Sequence, residues 1–556
     1  MTNLIVKITQ NPKNLIFSII FFFSFYSTSL ISYLTYDIVL SPDFEKYYQY
    51  FEFYSGQLDS PSLEQGNLYF YLNFLFIRIL TFLNTAYSIN QVVNISIYFV
   101  NAMIFLFACI GLKKYLDLFY KSHNNFLVLS ILCFTPSSFE LRSTLKPEIL
   151  GFAILSWLIY YLSISIRQLT NYEIYKVIIL FALLINTKIS LAIIGILFIF
   201  LHMYFQKSTF IKYIKLKHII IFVVLTIFLA VENFALNKLT INEVNHTENY
   251  NNKASLDFFT NINVKLLKNN PDRYFHSDSF ISITLFDTFN DFFQLYWNSE
   301  YTQLNTERAE FFKITNRPNQ EPPVKIKFDK ENMVFTLSGN FDDRWNDENY
   351  INETRMRFTY IFSLIFYILL FLFSFFKRKF RAIFLAPFLA MFIISLSALG
   401  VLGTNNFDPL ISDSVKTFYY SYIILLSFSV LLSEIFNFEI FKKLLSVFII
   451  LLFLFFLGFP FKYSDTSKDI IIYNNSLILT CELNQQITNI YFQIDEIYCG
   501  DTDYFSNKIF PIKQARPLSN NISKVPFINM FLFFSYFIFD SKLIKTNSIN
   551  YGKKND

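Results

Sequence analysis

The residue best placed to do chemistry is Asp43, which follows the first apolar run of the chain in the segment Ser41-Pro42-Asp43. A serine followed by a proline favours the start of a helix, with serine as the N-cap and proline at the first helical position. Asp43 then lies in the first turn, where a carboxylate can act as a general base toward a hydroxyl group. The alternative is that it only complements the helix dipole, a contribution of about 0.3–1 kcal/mol.

The helix that would carry Asp43 has an aromatic stripe. Phe44, Tyr47, Tyr48, Phe51 and Tyr54 follow one another at i, i+3, i+4, i+7 and i+10. Aromatic residues at this spacing share one face of a helix and are typical of a helix at a membrane interface. We therefore expect this helix to lie on the bilayer surface and to hold Asp43 at the mouth of a helix bundle.

Four basic residues are expected on the same side of the membrane as Asp43. They are Arg142, Lys146, Lys188 and Lys416. Basic residues normally concentrate on the cytoplasmic side, so cations on the opposite side indicate an anionic ligand such as a phosphate group. The alternative is that each side chain reaches separately to the phosphates of surrounding lipids.

The composition of the chain points to a bilayer as its solvent. Of the 556 residues, 53% are hydrophobic and 16% are charged, and the charges stand between long runs of Phe, Ile and Leu. Runs of about 20 apolar residues have the length of a transmembrane helix. The formal net charge of +5 is spread over short loops and gives no footprint for nucleic acid. The sequence has no Walker A loop, no GxGxxG after a strand and no HExxH helix, so ATP-driven transport, hydride transfer and zinc hydrolysis lack support.

Hydropathy and charge predict an all-α polytopic membrane protein with roughly ten to twelve transmembrane helices. Lys7 and Lys13 precede the first apolar run, so the N-terminus is predicted to be cytoplasmic. The protein is expected to lie in the inner or plasma membrane of the cell. Residues 68–83 carry Arg78 and are interpreted as an interfacial or re-entrant helix. The predicted regions are a transmembrane module at 1–236 with a first outer loop at 37–88, a large outer loop at 237–357, further transmembrane helices at 358–461 and an outer polar tail at 462–556.

Two of these outer regions have features of their own. In the large loop, strand-like residues on either side of Asp329 to Asn332 predict a β-hairpin and therefore a small α+β domain. In the tail, Cys481 and Cys499 form a disulfide if they face an oxidising compartment and are otherwise free thiols. An apolar run at 527–539 is a candidate final helix, and its crossing of the membrane is left open.

The order of these elements resembles the membrane-integral C-type glycosyltransferases, which include protein O-mannosyltransferases and the aminoarabinose transferases of lipid A. In that family an acidic residue follows the first helix, and the segment from Ser41 to Tyr48 looks like that element, with Asp43 as the acid and Glu45 and Tyr47 as supporting residues. A basic residue, a proline and an acid open a later helix, and Lys146-Pro147-Glu148 is similar.

Two further elements of the family have counterparts later in the chain. Asn186-Thr187-Lys188 resembles the short basic turn of the middle helix hairpin. Val415-Lys416 resembles the basic start of a late helix. The resemblance covers roughly residues 1–460 as an order of elements.

The resemblance implies a C-type bundle and a sugar donor linked to polyprenyl phosphate. Asp43 would deprotonate a hydroxyl of a glycan, lipid or protein acceptor on the non-cytoplasmic face, with inversion at the sugar. The four cations would hold the donor phosphate, and Glu148 would support them. Some members use a divalent metal near the acid of the first loop, and here the metal is left open because Phe44 follows Asp43.

Two other classes of protein share parts of this pattern. A polysaccharide polymerase or ligase of the cell envelope would have the same topology and basic outer residues. A transporter or scaffold without enzymatic activity would instead place functional charge at the membrane midplane.

Overall fold

The computed structural model describes the chain in stretches. They are residues 12–35, 44–56, 66–83, 89–165, 171–206, 214–227, 259, 279–289, 324–329, 334–340, 353–377, 381–398 and 417–437. Asp43, Lys416, Cys481, Cys499 and the run at 527–539 lie outside them. Glu45 belongs to a described helix, but its side chain is not among those described.

The described chain is dominated by α-helices, which confirms the predicted all-α class. In chain order the helices are α1 (Pro12–Thr35), α2 (Phe44–Tyr54), α3 (Asn67–Leu83), α4 (Ile89–Asp117), α5 (Ser122–Cys133), α6 (Pro136–Ser143), α7 (Glu148–Ser165), α8 (Asn171–Thr187), α9 (Ile189–Gln206), α10 (Leu216–Ile227), α11 (Phe280–Phe289), α12 (Glu353–Phe376), α13 (Arg381–Ala398) and α14 (Thr417–Asn437). One antiparallel hairpin, β1 (Val324–Asp329) and β2 (Val334–Asn340), matches the predicted turn position.

The helices pack into one bundle. Helix α4 packs along α7, α1 along α5 and α7 along α8, while α9 packs on α13 and α13 on α14. Helix α14 also contacts α5, α6, α7 and α11, so it joins the two halves of the described chain. Buried apolar residues of the helices from α1 to α14, α10 excepted, form one large core cluster, and Phe259, Phe280 and Ile283 form a second, small cluster.

The close approach of α4 and α7 depends on a glycine. A Cβ at Gly111 would lie 2.8 Å from the ring of Trp157, so a larger residue would push the helices apart. The Trp157 indole nitrogen also donates a hydrogen bond of 3.0 Å to the carbonyl oxygen of Phe107 on α4. The absence of a side chain at 111 and this hydrogen bond fix the two helices at one distance.

The apolar run at residues 126–139 predicts a single membrane span, and this prediction is wrong because the structure contains two helices there. Helix α5 ends at Cys133 and α6 begins at Pro136. Thr135 between them is extended, with φ −69° and ψ 144°. A proline lacks the backbone N–H that a continuing helix needs, but it suits the first position of a new one.

Helix α11 was not predicted, and it draws part of the large loop into the bundle. It packs against α12 and α14. Phe289 at its end lies 4.8 Å from Phe362, 5.0 Å from Phe366 and 5.2 Å from Phe428, measured between ring centroids. Residues 280–289 therefore belong to the packed core and not to a solvated loop.

Several helices turn apolar faces outward. The most exposed large side chains of α10 and α12 include Leu216, Val224, Ile227, Phe371, Phe375 and Phe376. Among the described residues, one helical stretch, Val92–Asp117, is long and apolar enough to cross a membrane, and the other apolar helices are shorter.

One end of the bundle, which we call the Glu434 end, carries a polar network. The Tyr120 hydroxyl donates to Glu434 at 2.6 Å, and the Lys377 ammonium lies 2.8 Å from the same carboxylate. Nearby, Lys113 lies 2.6 Å from Asp117. The basic segments around Lys113 and Lys377 therefore meet at one end of the bundle.

Candidate functional site

The opposite end, which we call the Glu148 end, gathers several of the predicted site residues. Glu148 begins α7, and Lys188 is the single residue between α8 and α9. Although they are 40 positions apart, the Lys188 ammonium lies 2.7 Å from the Glu148 carboxylate. The Glu148 side chain is 3% exposed and that of Lys188 is 16% exposed, so this is a buried ion pair.

Tyr420, at the start of α14, contacts this ion pair. Lys188 lies 5.7 Å from the ring centroid of Tyr420, a cation–π distance, and the Tyr420 hydroxyl is hydrogen-bonded to Ser190. Burial by itself would lower the pKa of Lys188, but the Glu148 carboxylate and Tyr420 outweigh burial and hold this pKa above its ordinary value. Lys188 is therefore a fixed cation at neutral pH.

Two of the buried oxygen atoms at this end have no hydrogen-bond partner among the described residues and lie beside the ion pair. One is Oε2 of Glu148 and the other is the hydroxyl of Tyr422. Tyr422 is buried next to Tyr420, with 6.5 Å between the ring centroids. Buried polar atoms normally have partners, so these two atoms are candidates for contact with a bound hydroxyl-bearing ligand.

The segment between α6 and α7 is held in place by Asn101 of α4. Its side-chain amide donates to the carbonyl oxygens of Arg142 at 3.2 Å and Thr144 at 2.9 Å, and it accepts a hydrogen bond of 2.7 Å from Tyr69. These hydrogen bonds supply partners for backbone carbonyl groups that would otherwise lack them, because the segment is buried and not helical. They fix Lys146, which is 3% exposed, two residues before Glu148.

Arg142 is bound within the protein interior. Its Nε donates to Ser138 O at 2.9 Å, Nη1 to the hydroxyls of Thr28 at 2.6 Å and Ser29 at 3.1 Å, and Nη2 to Cys133 O at 2.6 Å. The side chain is 1% exposed. This guanidinium ties α1 to the junction of α5 and α6, so we leave Arg142 out of the proposed ligand site.

The first outer loop reaches the Glu148 end through α2 and α3. The backbone N–H of Gly66 donates to Thr187 O at 3.1 Å. A Cβ at Gly66 would lie 1.3 Å from the carbonyl oxygen of Asn186, so only glycine fits there. Helix α2 packs on α3, with Tyr47 and Phe70 5.3 Å apart. This contact ties the helix that follows Asp43 to the tip of the α8–α9 hairpin.

The aromatic stripe of α2 does not face outward as expected. Tyr47 is 3% exposed and Phe51 is 5% exposed. Tyr50, which is not part of the stripe, stacks on Phe70 at 4.1 Å. The rings of α3 offer α2 an aromatic surface to pack on, so the predicted interfacial stripe is largely an internal contact.

Of the predicted site residues, the structure brings Glu148, Lys146 and Lys188 to one end and gives Tyr47 a packing role. The sequence reasoning missed Asn101, Tyr69, Ser190 and Tyr422. Asn101 carried a usable signal, since an amide inside a long apolar run needs a polar partner. Among the described residues, no three His, Cys, Asp or Glu side chains come together as metal ligands.

Comparisons with protein-family models, with curated proteins and with solved structures find no match to this chain. The glycosyltransferase hypothesis therefore depends on the residues of this chain alone.

Proposed function

We propose that this chain is a polytopic membrane glycosyltransferase that moves a sugar from a polyprenyl-phosphate-linked donor to an acceptor on the non-cytoplasmic face. The observation that carries the proposal is the convergence of Lys188 from the turn between α8 and α9, Glu148 from the start of α7 and Tyr420 from α14. Lys146 lies two residues before Glu148. Cations dispersed around the rim of the bundle would have suited separate contacts with lipid. Basic side chains that lie at one end of the bundle, and not around its rim, favour one shared anionic ligand.

The membrane placement is supported by the outer surface of the bundle. Exposed Ile, Leu, Val and Phe side chains cover α10 and α12, and charged networks collect at its two ends. Exposed apolar side chains in this number suit lipid better than water. The Glu148 end would then be non-cytoplasmic and the Glu434 end cytoplasmic.

The proposed chemistry is a displacement at the anomeric carbon. Asp43 takes the proton of the acceptor hydroxyl, whose oxygen forms a bond to the anomeric carbon as the bond to the phosphate oxygen breaks. The polyprenyl phosphate leaves with the bonding electrons, and Lys188 and Lys146 stabilise its charge.

The proposal is tested by transfer from radiolabelled polyprenyl-phosphate sugars in reconstituted membranes. An Asp43→Asn variant is expected to lower the rate about a hundredfold, because a carboxamide cannot accept the proton. Glu52→Gln, which changes an acid farther along α2, is the matched control and should keep the rate. An unchanged rate for Asp43→Asn would remove the base, and wild-type transfer from diphosphate-linked donors alone would favour the polymerase or ligase.

The predicted orientation is tested separately by cysteine labelling. Ser55 follows α2 and Lys121 precedes α5, and both are exposed. In a variant with all four native cysteines replaced, a membrane-impermeant maleimide added to intact cells should label Ser55→Cys but leave Lys121→Cys unlabelled until the cells are opened. Labelling of both sites from outside, or of Lys121→Cys alone, would contradict the orientation.

A further inference from the structure

A second cluster of cations covers aromatic rings on the side of the bundle toward the Glu434 end. Lys114 lies 4.8 Å from the ring centroid of Trp157, and Lys176 lies 4.5 Å from that of Tyr161 and 3.9 Å from that of Tyr172. These distances are those of cation–π contacts. We call the group formed by Lys114, Trp157, Tyr161, Tyr172, Lys176 and Lys217 the basic–aromatic cluster.

The basic–aromatic cluster is continuous across four helices. Trp157 and Tyr161 of α7 stack at 5.9 Å, which joins Lys114 of α4 to Lys176 of α8. Lys217 of α10 lies 5.9 Å from the ring centroid of Tyr175, one residue before Lys176. Four separate helices therefore contribute to one patch.

The charge of this patch is positive. Within the described chain, Lys114, Lys176 and Lys217 form no ion pair, and Lys215 adds a further exposed cation. Two acids lie near Tyr160, which adjoins the cluster. Asp117 forms an ion pair with Lys113, and Glu173 lies in the first turn of α8. A ring face occupies one side of each ammonium group and leaves its N–H donors available to an anion.

The cluster borders an apolar surface along the same helices. On α8, Tyr172, Lys176 and Ile179 are spaced at i, i+4 and i+7, so they share one face, and Ile179 is 45% exposed. On α10, the exposed side chains of Ile220 and Val223 follow Lys217. The stacked rings of Phe181 and Phe222, 5.5 Å apart, join the two helices along this surface.

We propose that the basic–aromatic cluster binds the headgroup of an anionic phospholipid of the cytoplasmic leaflet, with the acyl chains along the exposed faces of α8 and α10. The adjacency of ammonium groups and apolar side chains favours a lipid over a free phosphate, since a soluble anion would leave the apolar surface uncovered. Lysines near a membrane surface attract anionic lipid in this way. The inference rests on the membrane placement of the proposed function but not on sugar transfer.

The test measures thermal unfolding in nanodiscs of phosphatidylcholine alone and of an equal mixture with phosphatidylglycerol. The wild-type midpoint should rise in the mixture, and a Lys176→Gln, Lys217→Gln variant should lose most of that rise, with phosphatidylglycerol binding weakened about fivefold per lysine. The midpoint of the variant in phosphatidylcholine alone shows whether it is folded. Lys121→Gln, an exposed lysine at the same end, is the matched control and should keep the rise.

Two outcomes would overturn this inference. One is an equal rise in the wild type and the double variant, and the other is no rise in the wild type. Glycerophosphate added to phosphatidylcholine nanodiscs distinguishes a lipid headgroup from a soluble phosphate. If it raises the unfolding midpoint of the wild type as much as phosphatidylglycerol does, the cluster binds a soluble anion and not a lipid. Sugar transfer is scored independently, so its failure leaves this result unaffected.

Discussion

Replacing Glu148 by methionine is expected to lower the free energy of unfolding by about 3–5 kcal/mol, because it leaves the buried ammonium of Lys188 without its carboxylate. The pair is separated by 2.7 Å, and both side chains are largely out of solvent. Lys188→Met should have a cost of the same order, since it strands the Glu148 carboxylate. Unfolding by a denaturing detergent, followed by circular dichroism, measures both.

The double variant Glu148→Met, Lys188→Met distinguishes the pair from its single members. Replacing a buried ion pair by apolar residues of similar size is often neutral or stabilising, so the double variant should recover most of the lost stability. Lys377→Met is the matched control: the Lys377 side chain is 40% exposed, and Glu434 keeps the hydrogen bond from Tyr120, so this change should cost only about 1 kcal/mol. A double variant as unstable as the sum of the singles would contradict a local pair interaction.

The double variant also separates stability from ligand binding. If Lys188 contacts the donor phosphate, the refolded double variant should bind the polyprenyl-phosphate sugar about tenfold or more weakly, because a charged hydrogen bond of about 1.5–3 kcal/mol is lost. If the pair serves only the fold, donor affinity should return with stability.

Replacing Arg142 by methionine is expected to destabilise the protein by about 3 kcal/mol or more, since the hydrogen bonds of one guanidinium are lost together. The hydroxyl of Thr28 and the carbonyl oxygens of Ser138 and Cys133 would lose a donor. Arg142→Lys should not rescue this loss, because one ammonium cannot reach acceptors arranged around a planar fork.

Arg78 provides the matched control for this prediction. It is an exposed arginine on α3 whose guanidinium carbon lies 5.9 Å from the ring centroid of Phe74. Arg78→Met should change the free energy of unfolding by about 0.5 kcal/mol or less. Equal stability of the Arg142→Met and Arg78→Met proteins would show that the buried hydrogen bonds contribute little.

Apolar runs and their polar interruptions predicted much of the helical order. The turn at Lys188 was predicted because Asn186-Thr187-Lys188 interrupts an apolar run, and the structure places a helix end there. The break before Pro136 was missed because hydropathy does not register the missing N–H of a proline. Helix α11 was missed because its apolar residues lie among acids in a long polar region.

The composition of the site was harder to predict than its position. Residue type alone made Arg142 and Lys188 equally good candidates for binding a phosphate. In the structure Arg142 instead forms hydrogen bonds within the protein, whereas Lys188 forms an ion pair with Glu148. Which partner a cation meets depends on contacts between distant helices. Thr28 lies 114 positions from Arg142, and no local pattern reports that distance.

The contact of Gly66 with the carbonyl oxygen of Asn186 has a consequence for exchanging parts of this protein. A chimaera that imports the first outer loop from another sequence must keep glycine at this junction, since any side chain would collide with the hairpin tip. The first outer loop and the α8–α9 hairpin should therefore be exchanged together. A graft that transfers both keeps the contact between Gly66 and the hairpin tip, and with it the position of Lys188.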